Sequence, residues 1–244
     1  RTKAWKDEQP ILAASAPHPR RLAFLLGGLL VILLLITLGV WASAFWKDAF
    51  MRPHGTFDAY AIWNLRARFI FRDPAQWQNA FSADLNWKTH PDYPLLTTAN
   101  VARSWFLLGV ESTRVPIVLA GLFAVCALGT LSSALALLRG PSSAALAGLA
   151  LLGAPWFPFF AGTQNAAIPL AAYYLAAAVL LAFHARTQQP RFLGLAGLAV
   201  GLAAWTKNEG LLFLVVVSAL LVWTQRRRFR QSLMPYAAGL LIPL

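Results

Sequence analysis

Residues 22–46, opening LAFLLGGLLVILLLITLG, form an unbroken apolar run that fixes the solvent this chain folds in. They hold no ionisable side chain, and about 20 apolar residues suffice for a helix to cross the hydrocarbon core of a bilayer. Lipid offers no hydrogen bonds to an open backbone, so such a segment is helical. The run outlasts the apolar core of a cleavable signal, about 7–15 residues. It therefore reads as a retained anchor, with Arg20 and Arg21 just before it.

The rest of the chain repeats this logic. Of its 244 residues 58% are hydrophobic and 12% charged, against about 25% charged in a soluble domain. Further apolar helices are expected at 94–110 (short), 115–138, 144–160, 166–183, 192–206, 211–223 and 233–244. The expected fold is all-α: a polytopic transmembrane helix bundle whose long first outer segment contains membrane-parallel helices. Residues 1–21 are a cytoplasmic tail, 22–46 the first span, 47–93 the outer segment and 94–244 the bundle. The last apolar run stops part-way, so the chain reads as cut short at its C-terminus.

Charge sets orientation. The net charge of +12 is spread between apolar spans and forms no basic face for nucleic acid, so the basic residues read as topology signals and as partners for lipid phosphates. Short basic turns at Arg139, at Arg186 and Arg191, and in TQRRRFRQ put the N-terminus in the cytoplasm by the positive-inside rule. The remaining acidic residues beyond the tail, Asp48, Asp58, Asp73, Asp84, Asp92, Glu111 and Glu209, then share the outer side with many basic residues. The one cysteine, Cys126, lies in an apolar run and serves neither a disulfide nor a thiolate metal site.

Three polar stretches on that side carry the candidate chemistry. In HGTFDAYAIWNLRARFIF, an amphipathic helix places Ile62, Leu65 and Phe69 on one face, with Arg66 and Arg68 away from its centre. Asp58 at its start is a helix-dipole acid or a general base for an acceptor hydroxyl; Arg66 and Arg68 suit a phosphate leaving group. NWKTHPDYPLL supplies Lys88, His90, Asp92 and Tyr93 beside two prolines that stiffen the entry to a membrane helix. His90 and Asp92 alone are too few ligands for a metal site. In WTKNEGLLF, Lys207 and Glu209 interrupt two apolar spans, either as a solvated pair or with Lys207 as a second cation for a lipid phosphate.

Together these stretches resemble the GT-C superfamily of membrane glycosyltransferases, in the branch of protein O-mannosyltransferases and lipid A aminoarabinose transferases. Asp58 of TFDAY matches the family's early acidic base, although Ala59 stands where many members carry a second carboxylate. HPDYPLL matches the motif that closes the outer segment, and TKNEGLLF a recurring lysine-containing turn. The resemblance implies inverting sugar transfer from a polyprenyl-phosphate donor at the outer face of a bacterial inner membrane. Asp58 and Asp92 would be catalytic; His90, Tyr93, Arg66, Arg68, Lys207 and Glu209 would bind substrate. A divalent metal serves some relatives and not others, and no cofactor is fixed by these residues. The alternative is a non-catalytic, glycosyltransferase-like membrane subunit of a larger assembly. A transporter fits less well, because the spans hold almost no ionisable residue at their centres.

Overall fold

The computed structural model describes residues 20–85, 89–225 and 229–243. Among the features singled out above, most of the tail, Lys88 and Arg226 to Arg228 lie outside these residues. The described chain is helical, with no strand among the described residues. Helix α1 (Arg20–Met51) is followed by a π-helical turn (Ala59–Trp63) that leads into α2 (Asn64–Arg72), and then by a 3-10 segment (Pro74–Phe81). The bundle continues with α3 (Leu96–Leu108), α4 (Arg114–Arg139), α5 (Pro141–Gly153), α6 (Trp156–Gly162), α7 (Ala167–Thr187), α8 (Pro190–Thr206), α9 (Asn208–Gln225) and α10 (Phe229–Leu241).

Helices α1, α4, α7 and α9 are long and apolar enough to cross a membrane, and α5 with α6 makes a fifth candidate, bent by 66°. The bend falls at Pro155, which has no N–H to continue the ladder and holds Ala154 extended (φ −72°, ψ 116°). The chain is an integral membrane protein. Helices α8 and α10 fall on the stretches expected at 192–206 and 233–244 but are short for a membrane span, with 17 and 13 residues. Leu193, Ala196, Val200 and Ala203 of α8 are fully buried, so this helix meets protein on most sides and its length is not set by the bilayer.

Two apolar cores share α7. One joins Trp41 and Phe45 of α1 to Ala124 of α4, Phe157 of α6 and Ala172 of α7. The other joins Ala177 of α7 to Leu193 and Val200 of α8, Val217 and Leu221 of α9, and Tyr236 of α10. Helices α8 and α10 approach through glycine. A Cβ on Gly197 would overlap the Tyr236 carbonyl oxygen, and one on Gly239 would overlap that of Gly194. Small residues allow this approach where the hydrophobic effect gives no drive between helices in lipid.

The turns after α1, α6 and α8 and the turn that precedes α3 meet at one end of the bundle. Gln164 Nε2 donates to the carbonyls of Arg52 and Pro53, both at 3.3 Å, and Asn208 Nδ2 donates to Asp92 Oδ2 at 2.6 Å. Gly55, at φ +75°, sits where a side chain would strike the Thr163 carbonyl. Arg139, Arg186 and Arg191 lie at the opposite end, at the α4–α5 and α7–α8 turns.

The outer segment departs from the expected amphipathic pattern. Ile62 is buried as expected, but the buried face continues through Trp63, Arg66 and Ala67, while Leu65 and Phe69 are only half-buried. The reason is the π turn. Its i→i+5 bonding inserts one extra residue, which rotates the downstream faces by about 100°. On the outer flank, Arg68 Nε and Arg72 Nε each donate to Glu111 at 2.8 Å, tying α2 to the α3–α4 turn.

Two predictions follow from this packing. Gly197→Leu should cost about 3 kcal/mol or more, the top of the overpacking range, whereas Gly27→Leu, with nothing near its Cβ, should be neutral in thermal unfolding in detergent. Burial pushes the Glu111 carboxyl up, but hydrogen bonds from Arg72 and Arg68 outweigh it and hold the group below its ordinary 4.5. A depressed carboxylate contributes stability above its unfolded value and loses it as pH falls through the folded one. Hydrogen exchange in α2 should therefore accelerate below about pH 4, and Glu111→Gln should remove that acid-dependent step.

Candidate active site

A cavity of about 260 Å³ opens at the polar end of the bundle, lined by Asp58, Trp63, His90, Tyr93, Asn165 and Lys207 among others. Four of the eight residues singled out in the sequence therefore converge on it. Asp58 precedes the π turn and makes no capping bond to it. Every other acidic side chain in the described chain is engaged: Asp48 with Arg52, Asp73 with the Gln76 amide, Asp84 with Ser82, Asp92 with Asn208, Glu111 with Arg68 and Arg72, Glu209 with Lys207. Asp58 accepts no hydrogen bond from a described residue. It is exposed and faces the cavity.

His90, Pro91, Asp92 and Tyr93 form a β-turn, with the Tyr93 amide donating to the His90 carbonyl at 3.1 Å. Pro91 occupies the second position, where its fixed φ is suited to the turn. His90 enters at φ +48°, a left-handed conformation that histidine tolerates better than most residues. Tyr93 stacks on Trp63 and on His90, with ring centroids 5.4 and 4.8 Å apart and planes within 8°. His90 Nδ1 lies 3.7 Å from Asp92 Oδ1. That pair is a two-donor set, and among the described residues no three His, Cys, Asp or Glu side chains are grouped to share a metal ion.

The α8–α9 connection supplies the cation. Lys207 Nζ donates to Glu209 Oε1 at 2.7 Å and sits 5.4 Å from the centre of the Tyr93 ring. Burial alone pulls the lysine pKa down, but the hydrogen bond and charge of Glu209, helped by Tyr93 and Asp58, raise it above 10.5. The group stays an ammonium across the physiological range. With one proton on Glu209, two donors remain for a ligand.

The two arginines do not reach the cavity. Arg66 is fully buried; its guanidinium donates to the carbonyls of Tyr93 (2.9 Å) and Thr89 (2.8 Å) and lies 5.0 Å from the Phe81 ring. Burial lowers its pKa, with the Asp92 charge acting in the other direction. Arg68 is turned to Glu111. Sequence reasoning missed Asn165, which lines the cavity and accepts the Ala167 amide at 2.9 Å. It also missed Gln164, whose Oε1 accepts from Asn64 at 3.2 Å. Their signal was the polar GTQN break between two apolar runs. Asn208 stands inside the WTKNEGLLF stretch, and only the fold shows its bond to Asp92.

Arg66→Met should free both carbonyls and loosen the His90–Tyr93 turn. Loss of hydrogen bonds to a buried charge implies roughly 3 kcal/mol, readable as a lower unfolding temperature together with faster exchange of the Tyr93 amide.

No curated protein and no solved structure matches the chain. A family sequence model does match, over residues 92–244. The matched region starts at Asp92 and includes Tyr93, Asn165, Lys207 and Glu209, while Asp58, Arg66, Arg68 and His90 precede it. By this match over more than half its length, the chain belongs to the family described as dolichyl-phosphate-mannose-protein mannosyltransferase, a GT-C-type glycosyltransferase family.

Proposed function

We propose that this protein transfers a sugar from a polyprenyl-phosphate donor to an acceptor hydroxyl at the outer face of a bacterial cytoplasmic membrane, with inversion and with the N-terminus in the cytoplasm. The observation that carries this reading is the cavity itself. It places Asp58, a carboxylate with no described hydrogen-bond donor, and the Lys207 ammonium on one surface. In the proposed step Asp58 takes the acceptor proton as the acceptor oxygen bonds to the anomeric carbon. The bond from that carbon to the phosphate oxygen breaks, and its electron pair leaves with the lipid phosphate. Lys207 meets the charge that develops there.

The other groups act as binders. Tyr93, stacked on both Trp63 and His90, forms a rigid aromatic wall for a sugar, and Asn165 and His90 offer hydrogen bonds to its hydroxyls. Asp92, outside the cavity lining, is a positioning residue in place of the catalytic role expected from the sequence: its bond to Asn208 fixes the lysine turn against the His90–Tyr93 turn. Arg66 contributes by holding that same turn.

Asp58→Asn should reduce glycan transfer in membranes by roughly 100-fold or more, the range for a lost general base, with the unfolding temperature unchanged because no described residue donates to Asp58. Lys207→Gln should cost roughly 100- to 1,000-fold through lost leaving-group stabilisation. Full transfer by a folded Asp58→Asn protein would sink the assigned base. Absence of transfer by the unaltered chain with any polyprenyl-phosphate sugar would favour the non-catalytic subunit.

A further inference from the structure

Away from the candidate cavity, two apolar grooves flank the first turn of α4. One, of about 630 Å³, lies between the end of α1 and α4 and is walled by Trp46, Phe50 and Ile117. The other, of about 600 Å³, lies between α3 and α4 and is walled by Leu107, Val115 and Leu122. Arg114 and Val118 line both grooves, and neither groove shares a lining residue with the candidate cavity.

Arg114 is exposed, and no described residue partners its side chain. The nearest carboxylate in sequence, Glu111, is held by Arg68 and Arg72. Helix α4 has 26 residues with arginine at both ends, about 39 Å at 1.5 Å per residue. That length places Arg114 beyond a hydrocarbon core of about 30 Å, at headgroup depth. An unpaired guanidinium at headgroup depth, above two separate apolar channels, matches one phosphate carrying two chains.

We infer that Arg114 and the two grooves beside α4 form a binding site for an anionic diacyl phospholipid, with the phosphate on the guanidinium and one acyl chain on each side of the helix. The pairing of grooves argues against the single chain of a polyprenyl phosphate, so this site is distinct from the donor site of the proposed reaction. The lipid acts as a fixed part of the protein surface and fills the gaps between α1, α3 and α4.

Delipidated protein in a neutral detergent can be titrated with dioleoyl-phosphatidylglycerol and followed by native mass spectrometry. One lipid should bind per chain, about fivefold tighter than dioleoyl-phosphatidylcholine, the worth of one basic residue against an anionic headgroup. Arg114→Gln should erase that preference, and Val118→Trp should weaken both lipids by obstructing the grooves, with unfolding temperatures showing that each variant folds. Equal affinity for the two lipids, or an unchanged preference in Arg114→Gln, overturns the phosphate contact. Equal binding of the one-chain lysophosphatidylglycerol, or complete displacement by millimolar inorganic phosphate, overturns the two-groove arrangement. Cross-linking of a cysteine placed at Val118 to a second copy of the chain in a bilayer would show that protein fills the grooves, and would also overturn it.

Discussion

The Arg66 guanidinium is withdrawn from solvent and bonded to two carbonyls, Thr89 and Tyr93, that bracket the turn carrying His90 and Asp92. A buried charge without partners is far more costly than any single contact in the outer segment. Here the cost is offset by the two charge-assisted bonds, by the Phe81 ring and by the nearby Asp92 carboxylate. The dependence runs both ways. The turn is rigid because Arg66 holds it, and Arg66 is tolerable because the turn supplies its acceptors. Tyr93, pinned at its carbonyl, then presents its ring to Trp63, His90 and Lys207. One buried cation thus transmits the position of α2 to three walls of the cavity.

Much of this could be read from the sequence, and the division has a physical basis. Apolar runs such as residues 22–46 are governed by the bilayer alone, so α1, α4 and α7 appear where hydropathy puts them. The polar breaks in the same pattern mark the chain turns, which is why HPDYP and TKNEG were visible as one candidate site. Arg66 was not legible. A cation at a helix interior reads as lipid-facing or phosphate-binding, and only the tertiary structure shows two carbonyls waiting for it. The π turn compounded the error, since a single inserted residue rotates the faces of α2 by about 100° without leaving a mark in composition. Gln164 was hidden for a related reason: its three partners, Asn64, Arg52 and Pro53, lie about a hundred residues away in the chain.

The distribution of charge at the polar end gains meaning once pairs are removed. Arg52 takes Asp48, Arg68 and Arg72 take Glu111, and Lys207 takes Glu209. Such pairs near a surface contribute little stability individually, but they use up charges that would otherwise bind ions unspecifically. What the described pairs leave over includes the Asp58 carboxylate inside the cavity, two donors on Lys207, and the exposed Lys47, Arg103 and Arg114 side chains.

These remainders differ in the field around them, and that decides what each can do. Asp58 and Lys207 line the same cavity, and the Asp58 charge adds, after Glu209 and Tyr93, to raising the lysine pKa. A base works where the positive charge opposite it can also receive the leaving phosphate, and in the proposed reaction one displacement uses both ends of that field. Arg114 has no such counterpart among the described residues. Its charge is matched only if something anionic arrives from the membrane, and the apolar channels on both sides of it favour a ligand that brings its own hydrocarbon. The family match over residues 92–244 covers Lys207 and Arg114 but not Asp58. The base assignment therefore rests on local electrostatics, on a carboxylate left unbonded where its six described counterparts are each engaged.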